Sequence, residues 1–106
     1  MVRLAGTPKT PQAKIMVGWV PSKKMVMIDM IHSKMPKNDP AHSYQLWAMV
    51  KGKPIDLGVF NTAEDTIRLK RMRSIDTAEA FAVTVEPRGG SLVPTLSNML
   101  AMGKIN

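Results

Sequence analysis

Along most of its length the chain alternates apolar and polar positions with a period of two, the pattern of strands that bury one face. In AKIMVGWV, Ala13, Ile15, Val17 and Trp19 share one face, and Lys14, Met16, Gly18 and Val20 share the other. PSKK follows as a turn, with Pro21 presetting φ. MVMIDMI, from Met25 to Ile31, is apolar on both faces except at Asp29, which suits a strand inside a sheet. These two segments predict a hairpin. The proline-rich SKMPKNDPAHS, from Ser33 to Ser43, reads as a loop. YQLWAMV resumes the alternation, with Tyr44, Leu46, Ala48 and Val50 opposite Gln45, Trp47 and Met49. KGK predicts a three-residue hairpin connection to PIDLGVF, where Ile55, Leu57 and Val59 share a face. Gly58 inside that strand signals a bulge or a close backbone approach.

VRLAG opens the chain as a strand, NTAEDT reads as a turn or half-helical cap, and IRLKRM reads as another strand. SIDTAEA, with Ser74 and Asp76 as capping residues, predicts one short helical turn before the strand Phe81 to Pro87. Short strands separated by turn signals predict an all-β, antiparallel β-sandwich, with an Ig-like arrangement as one form of it and at most one short helical turn. The length of 106 residues predicts a single domain spanning 1–106, large enough for a core without metal or disulfide staples.

Composition narrows the chemistry. There is no cysteine, which removes thiolate catalysis, disulfides and cysteine-based zinc sites. His32 and His42 are the only imidazoles and lack a zinc-site spacing; with Asp39 they form a weak candidate metal set, and no metal ligand is assigned. The net charge of +7 raises a nucleic-acid reading. The lysines fall in apparent turns, however, and only RLKRMR, Arg68 to Arg73, is dense. Aromatic residues are too few for a stacking groove, so nucleic acid is disfavoured. Leu46 to Val50 is the longest apolar run, far short of the roughly 20 residues of a spanning helix. The start in strand-like sequence, with no apolar leader, suggests a piece of a longer chain. Ten methionines are read as pliable core filling; copper(I) binding or oxidation sensing would need clustered, exposed thioethers.

Two stretches carry more information. In AFAVTVEPRGGSLVPT, Pro87 ends the strand, and Glu86-Pro87-Arg88-Gly89 suits a type I turn with proline at its second position. Gly89, Gly90 and Ser91 then predict a nest of amides that receives the Glu86 carboxylate, with an external phosphate or carboxylate as the alternative occupant. Gly-Gly-Ser lacks the pattern of a nucleophile elbow, so Ser91 is not assigned to catalysis. In YQLW, Gln45 and Trp47 point to one side and Tyr44 and Leu46 to the other. The expectation is a buried tryptophan beside a glutamine pinned on backbone, with a ligand pocket on Trp47 and Gln45 as the alternative.

YQLWAMVKGKPIDLGVF followed by AFAVTVEPRGGSLVPT resembles the C-terminal domain of the anti-sigma-K factor family. The residues carrying the likeness are Tyr44, Gln45, Leu46, Trp47, Gly58, Phe60, Phe81 to Thr84, Glu86, Pro87, Gly89, Gly90, Ser91, Pro94 and Thr95, and VRLAGT and GWVPSKK extend it over most of the chain. The resemblance implies a non-catalytic regulatory domain, without a cofactor, lying outside the membrane (periplasmic) in a membrane-anchored anti-sigma factor. It implies that sigma factor is bound only by an N-terminal segment and the membrane only by a helix, neither of which is in these residues. A protease or signal protein would be the partner of the outer part. The motif residues would then be mainly structural. The alternatives are a free-standing basic β module that binds nucleic acid and a small-ligand-binding β-sandwich.

Overall fold

The computed structural model describes residues 1–65 and 67–105; Thr66, which ends the NTAEDT turn, lies outside them. Among the described residues eight strands form: β1 (Val2–Gly6), β2 (Lys14–Val20), β3 (Met25–Asp29), β4 (His42–Val50), β5 (Lys53–Phe60), β6 (Leu69–Arg71), β7 (Ala80–Pro87) and β8 (Met99–Lys104). They form one antiparallel sheet in the order β5-β4-β7-β8-β1-β2-β3-β6. The all-β, antiparallel expectation holds, but in place of two packed sheets there is one sheet, curled until it is nearly a barrel. Its two edges approach where the Arg73 amide donates to the Leu57 carbonyl (2.9 Å) and the Arg73 guanidinium meets Asp56 (2.7 Å). Curling lets a single sheet bury one whole face, which a flat sheet of the same strands would leave wet.

That inner face includes Ile15, Val17, Leu46 and Ala48, which alternation had placed together, and it also takes in residues to which alternation gave no face. Leu4, Ile15, Val17, Val26, Ile28, Leu46, Ala48, Phe60, Phe81 and Val83 are all fully buried. Trp19 packs edge-on to Phe81 with ring centroids 5.4 Å apart, and its indole N–H donates to the Ile75 carbonyl (3.0 Å). Such an aromatic pair contributes roughly 0.5–1.5 kcal/mol beyond the area it buries.

Three local expectations are corrected. SIDTAEA forms no helical turn: the Ile75 amide instead reaches the Lys24 carbonyl and the Glu79 amide the Met49 carbonyl, and the segment is irregular, with bends at Asp76 and Glu79. The short 3₁₀ turns lie elsewhere, at Pro21–Lys23 and Leu96–Asn98. The β4–β5 connection is two residues, Lys51 and Gly52, both at positive φ, because Val50 pairs with Lys53. Val59 does not share the face of Leu57. Gly58, at φ 108°, makes a bulge in which its amide bonds the Asp56 carboxylate (2.8 Å), and the extra residue puts Val59 opposite Gln45 on the outer face.

The strand β8 carries no alternation, since Met99, Leu100, Ala101 and Met102 are consecutive apolar residues. Here too the pairing slips: Val83 pairs with Ala101 but Thr84 with Met99. The additional residue, Leu100, turns into the core, and Met99 comes to the same outer face as Met102.

Candidate functional site

On β4 and β7 the residues that face away from the core include Gln45, Trp47, Thr84 and Glu86. In an isolated sheet they would be solvated, yet Gln45, Trp47, Thr84 and Glu86 are almost fully buried. The cover is the chain from Arg88 to Asn98, which leaves β7 at Pro87 and folds back over the sheet as a strap.

Hydrogen bonds hold the strap down at two points. At the first, the Gln45 side-chain amide pairs with Ser91 in both directions: its Nε2 donates to the Ser91 carbonyl (3.0 Å) and its Oε1 accepts from the Ser91 amide (2.8 Å). At the second, the Glu86 carboxylate accepts from the Thr95 amide (2.8 Å) and the Thr95 hydroxyl (2.7 Å). It also accepts from the Ser91 hydroxyl (2.9 Å) and from Thr84 (2.6 Å), whose oxygen in turn accepts the Trp47 indole N–H (2.8 Å). A chain of bonds therefore runs from Trp47 through Thr84 and Glu86 into the strap. Burial pushes the Glu86 carboxyl upward in pKa, but these donors outweigh it and hold the group below its ordinary value, ionised.

The donors differ from those expected of a glycine nest. The Gly90 amide closes a turn on the Pro87 carbonyl (2.8 Å), one residue later than the type I turn read from the sequence. The Gly89 amide reaches the Ser43 hydroxyl (3.4 Å), and Gln45 takes the Ser91 amide. Only the Ser91 hydroxyl, among the groups of Gly89 to Ser91, serves Glu86; Thr84 and Thr95 supply the rest. Gly90 has a separate reason to be glycine: it lies at φ 98°, and a Cβ there would stand 2.9 Å from both Gln45 Oε1 and Val59 Cγ1.

The family model described as anti-sigma-K factor rskA, C-terminal, matches residues 1–104. The chain belongs to that family. No curated protein and no solved structure matches it.

The remaining motif residues of this anti-sigma-K domain lie on the opposite, inner face or at the turns. Tyr44 stacks on Phe60 (centroids 5.6 Å) and donates its hydroxyl to the Pro36 carbonyl, tying the loop before β4 to the core. Leu46 is a core residue and Gly58 is the β5 bulge. Pro94 lies between the strap's two attachment points and borders a groove of about 460 Å³ beside Trp47 and Met49.

Thr84, inside the second motif, links Trp47 to Glu86, a role the sequence reading does not assign to it. The signal was available: Thr84 and Glu86 are two apart on one strand and so share a face.

Other candidate groups are not brought together. His32 pairs with Asp29 (2.7 Å) and His42 with Asp39 (2.8 Å), two separate pairs. Among the described residues no group of three His, Cys, Asp or Glu side chains converges. Ser91 Oγ donates to Glu86, an acceptor with no imidazole behind it, so its surroundings lack the hydrogen-bonded base of an activated serine. In the basic stretch Lys70 is paired with Asp65 (3.0 Å) and Arg73 with Asp56, which lowers the positive field a polyanion would meet.

Proposed function

We propose that this anti-sigma-K domain is the non-catalytic, extracytoplasmic part of a membrane-anchored anti-sigma factor, and that its folded state governs release of a sigma factor held by another segment of the same protein. The family match over residues 1–104 carries the reading. The arrangement of the strap supports it: the motif residues Gln45, Glu86, Ser91 and Thr95 are spent on holding an outer segment against the sheet. That is the work of a part whose stability matters, and no base or nucleophile is free within the network.

The test is the reading frame upstream of Val2. About 20 consecutive apolar residues preceded by a sigma-binding segment are expected. A phosphatase fused behind residue 106 of the full product should then be active outside the membrane. A frame that opens at Met1, or a fusion active only inside the cell, would overturn the proposal.

A further inference from the structure

We propose that the outward side of the strap docks on a lipid bilayer with anionic headgroups, with Leu92 and Val93 entering the bilayer surface and Arg3, Lys9, Lys53 and Lys104 flanking them. The strap is tied to the sheet at Ser91, by Gln45, and at Thr95, by Glu86. Between the ties Leu92 and Val93 project into solvent, 97% and 70% exposed, and Leu96 just past the second tie is 70% exposed. Pro94 stiffens the tip by fixing its own φ and restricting Val93 before it. Gln45 and Glu86 explain why Ser91 and Thr95 are where they are, but the core takes in none of Leu92, Val93 and Leu96.

A lone exposed leucine is ordinary on a protein surface; a contiguous apolar patch is not. Pro94 and Leu96 line the groove that Met102, 39% exposed, also borders, so the tip continues into an apolar surface that reaches β8.

Positive charge surrounds this patch. The Lys9 ammonium meets the Ser97 carbonyl (3.5 Å) next to Leu96. Lys104 lies two residues beyond Met102 on the same face of β8 and shares the lining of a hollow with Arg3. Lys53 adjoins Pro54, which borders the groove from β5. The ion pairs among the described residues involve none of these four cations. The carboxylates around the patch are engaged elsewhere: Asp56 with Arg73, Glu64 with Arg88, Asp39 with His42, and Glu79 with the amides of Lys51 and Gly52.

An apolar tip ringed by cations complements an interface that is negative at the headgroups and apolar beneath them. Binding to such an interface grows with the apolar area buried and with the attraction of basic residues to anionic lipid. A second copy of the chain seated here would oppose cations to cations. A convex tip also needs no matching hollow in a fluid bilayer. The surface needs no membrane helix elsewhere in the protein in order to act, so its test is separate from that of the proposed function.

The test is flotation of the protein with vesicles of phosphatidylcholine mixed with phosphatidylglycerol, beside vesicles of phosphatidylcholine alone. The protein should float with the anionic vesicles, and added salt should weaken binding. Burial of one aliphatic side chain is worth about tenfold or more, so Leu92→Ser with Val93→Ser should weaken binding at least about tenfold. Arg3→Gln and Lys104→Gln should each weaken it about fivefold. The melting temperature of each variant checks that it is folded. Because the chain has no cysteine, Val93→Cys offers a single point for an environment-sensitive dye. Its emission should shift to the blue on anionic vesicles, while the same dye at Leu69→Cys, on β6 and five places from β7 in the sheet, should not respond. No flotation, equal binding to neutral vesicles, full affinity in a folded Leu92→Ser/Val93→Ser protein, or a dye at position 93 that stays in water would overturn the proposal; the last two would leave the exposed tip to a protein partner.

Discussion

Replacing Glu86 by alanine removes the acceptor on which both the sheet face and the strap converge. The carboxylate is fully buried and receives four bonds, from the hydroxyls of Thr84, Ser91 and Thr95 and from the Thr95 amide. The hydroxyls of Ser91 and Thr95 belong to the strap and can turn to water if it lifts. The Thr84 hydroxyl, on the fully buried face of β7, and the Thr95 amide are held by the backbone and have less freedom. Each donor left without a partner under the strap costs about 1–3 kcal/mol, so two of them give roughly 2–6 kcal/mol. For a domain of this size that is a fall in melting temperature of at least about 10 °C. The assay is urea unfolding followed by tryptophan fluorescence, which separates a change in midpoint from a change in slope. Hydrogen exchange at the Thr95 amide distinguishes a strap that has come loose from a barrel weakened throughout. An unchanged midpoint together with unchanged protection at Thr95 would refute the assignment of Glu86 as the strap's anchor.

The same carboxylate sets a pH dependence. Its folded pKa lies below the ordinary value of 4.5, so ionised Glu86 stabilises the fold above that pH and the contribution is lost as pH falls through the folded value. The stability gap between wild type and Glu86→Gln should therefore be largest near neutrality and shrink on acidification below about 4.5; a gap that widens in acid would contradict this. Gly90→Ala meets Gln45 Oε1 and Val59 Cγ1 at 2.9 Å and is strained at φ 98°, so it should destabilise by about 1–3 kcal/mol and expose the Ser91 amide to exchange. Thr84→Val breaks the link from Trp47 to Glu86 without changing shape and should cost about 1–3 kcal/mol in urea unfolding, from the indole N–H left unpaired. Arg73→Ala removes an exposed ion pair at the barrel seam; its backbone bond to Leu57 stays, and the expected loss is below about 1 kcal/mol.

Much of this domain was determined locally. Alternation alone sorted Ile15 and Val17, or Leu46 and Ala48, onto the face that proves to be the core, because a strand offers only two sides and water selects between them. It also placed Gln45 and Trp47 together, and Gly58 announced its bulge. The order of the two motifs was enough to point to the anti-sigma-K family. What lay beyond the sequence was every outcome that depends on a distant partner. Pattern could not say that all eight strands join one curled sheet, because inward and outward residues look the same in a sandwich and a barrel. SIDTAEA has the capping residues of a helix, but the carbonyls of Lys24 and Met49 take two of its amides and no helical turn forms. The donors to Glu86 come from Thr84 and from Thr95, nine residues on, and the Ser91 amide that a local nest would have used is claimed by Gln45, 46 residues earlier. Nor could any run of residues show that one slip in β8 would place Met99 beside Met102. A one-residue change of register reverses the face of a side chain, and register is a property of two strands, not of one.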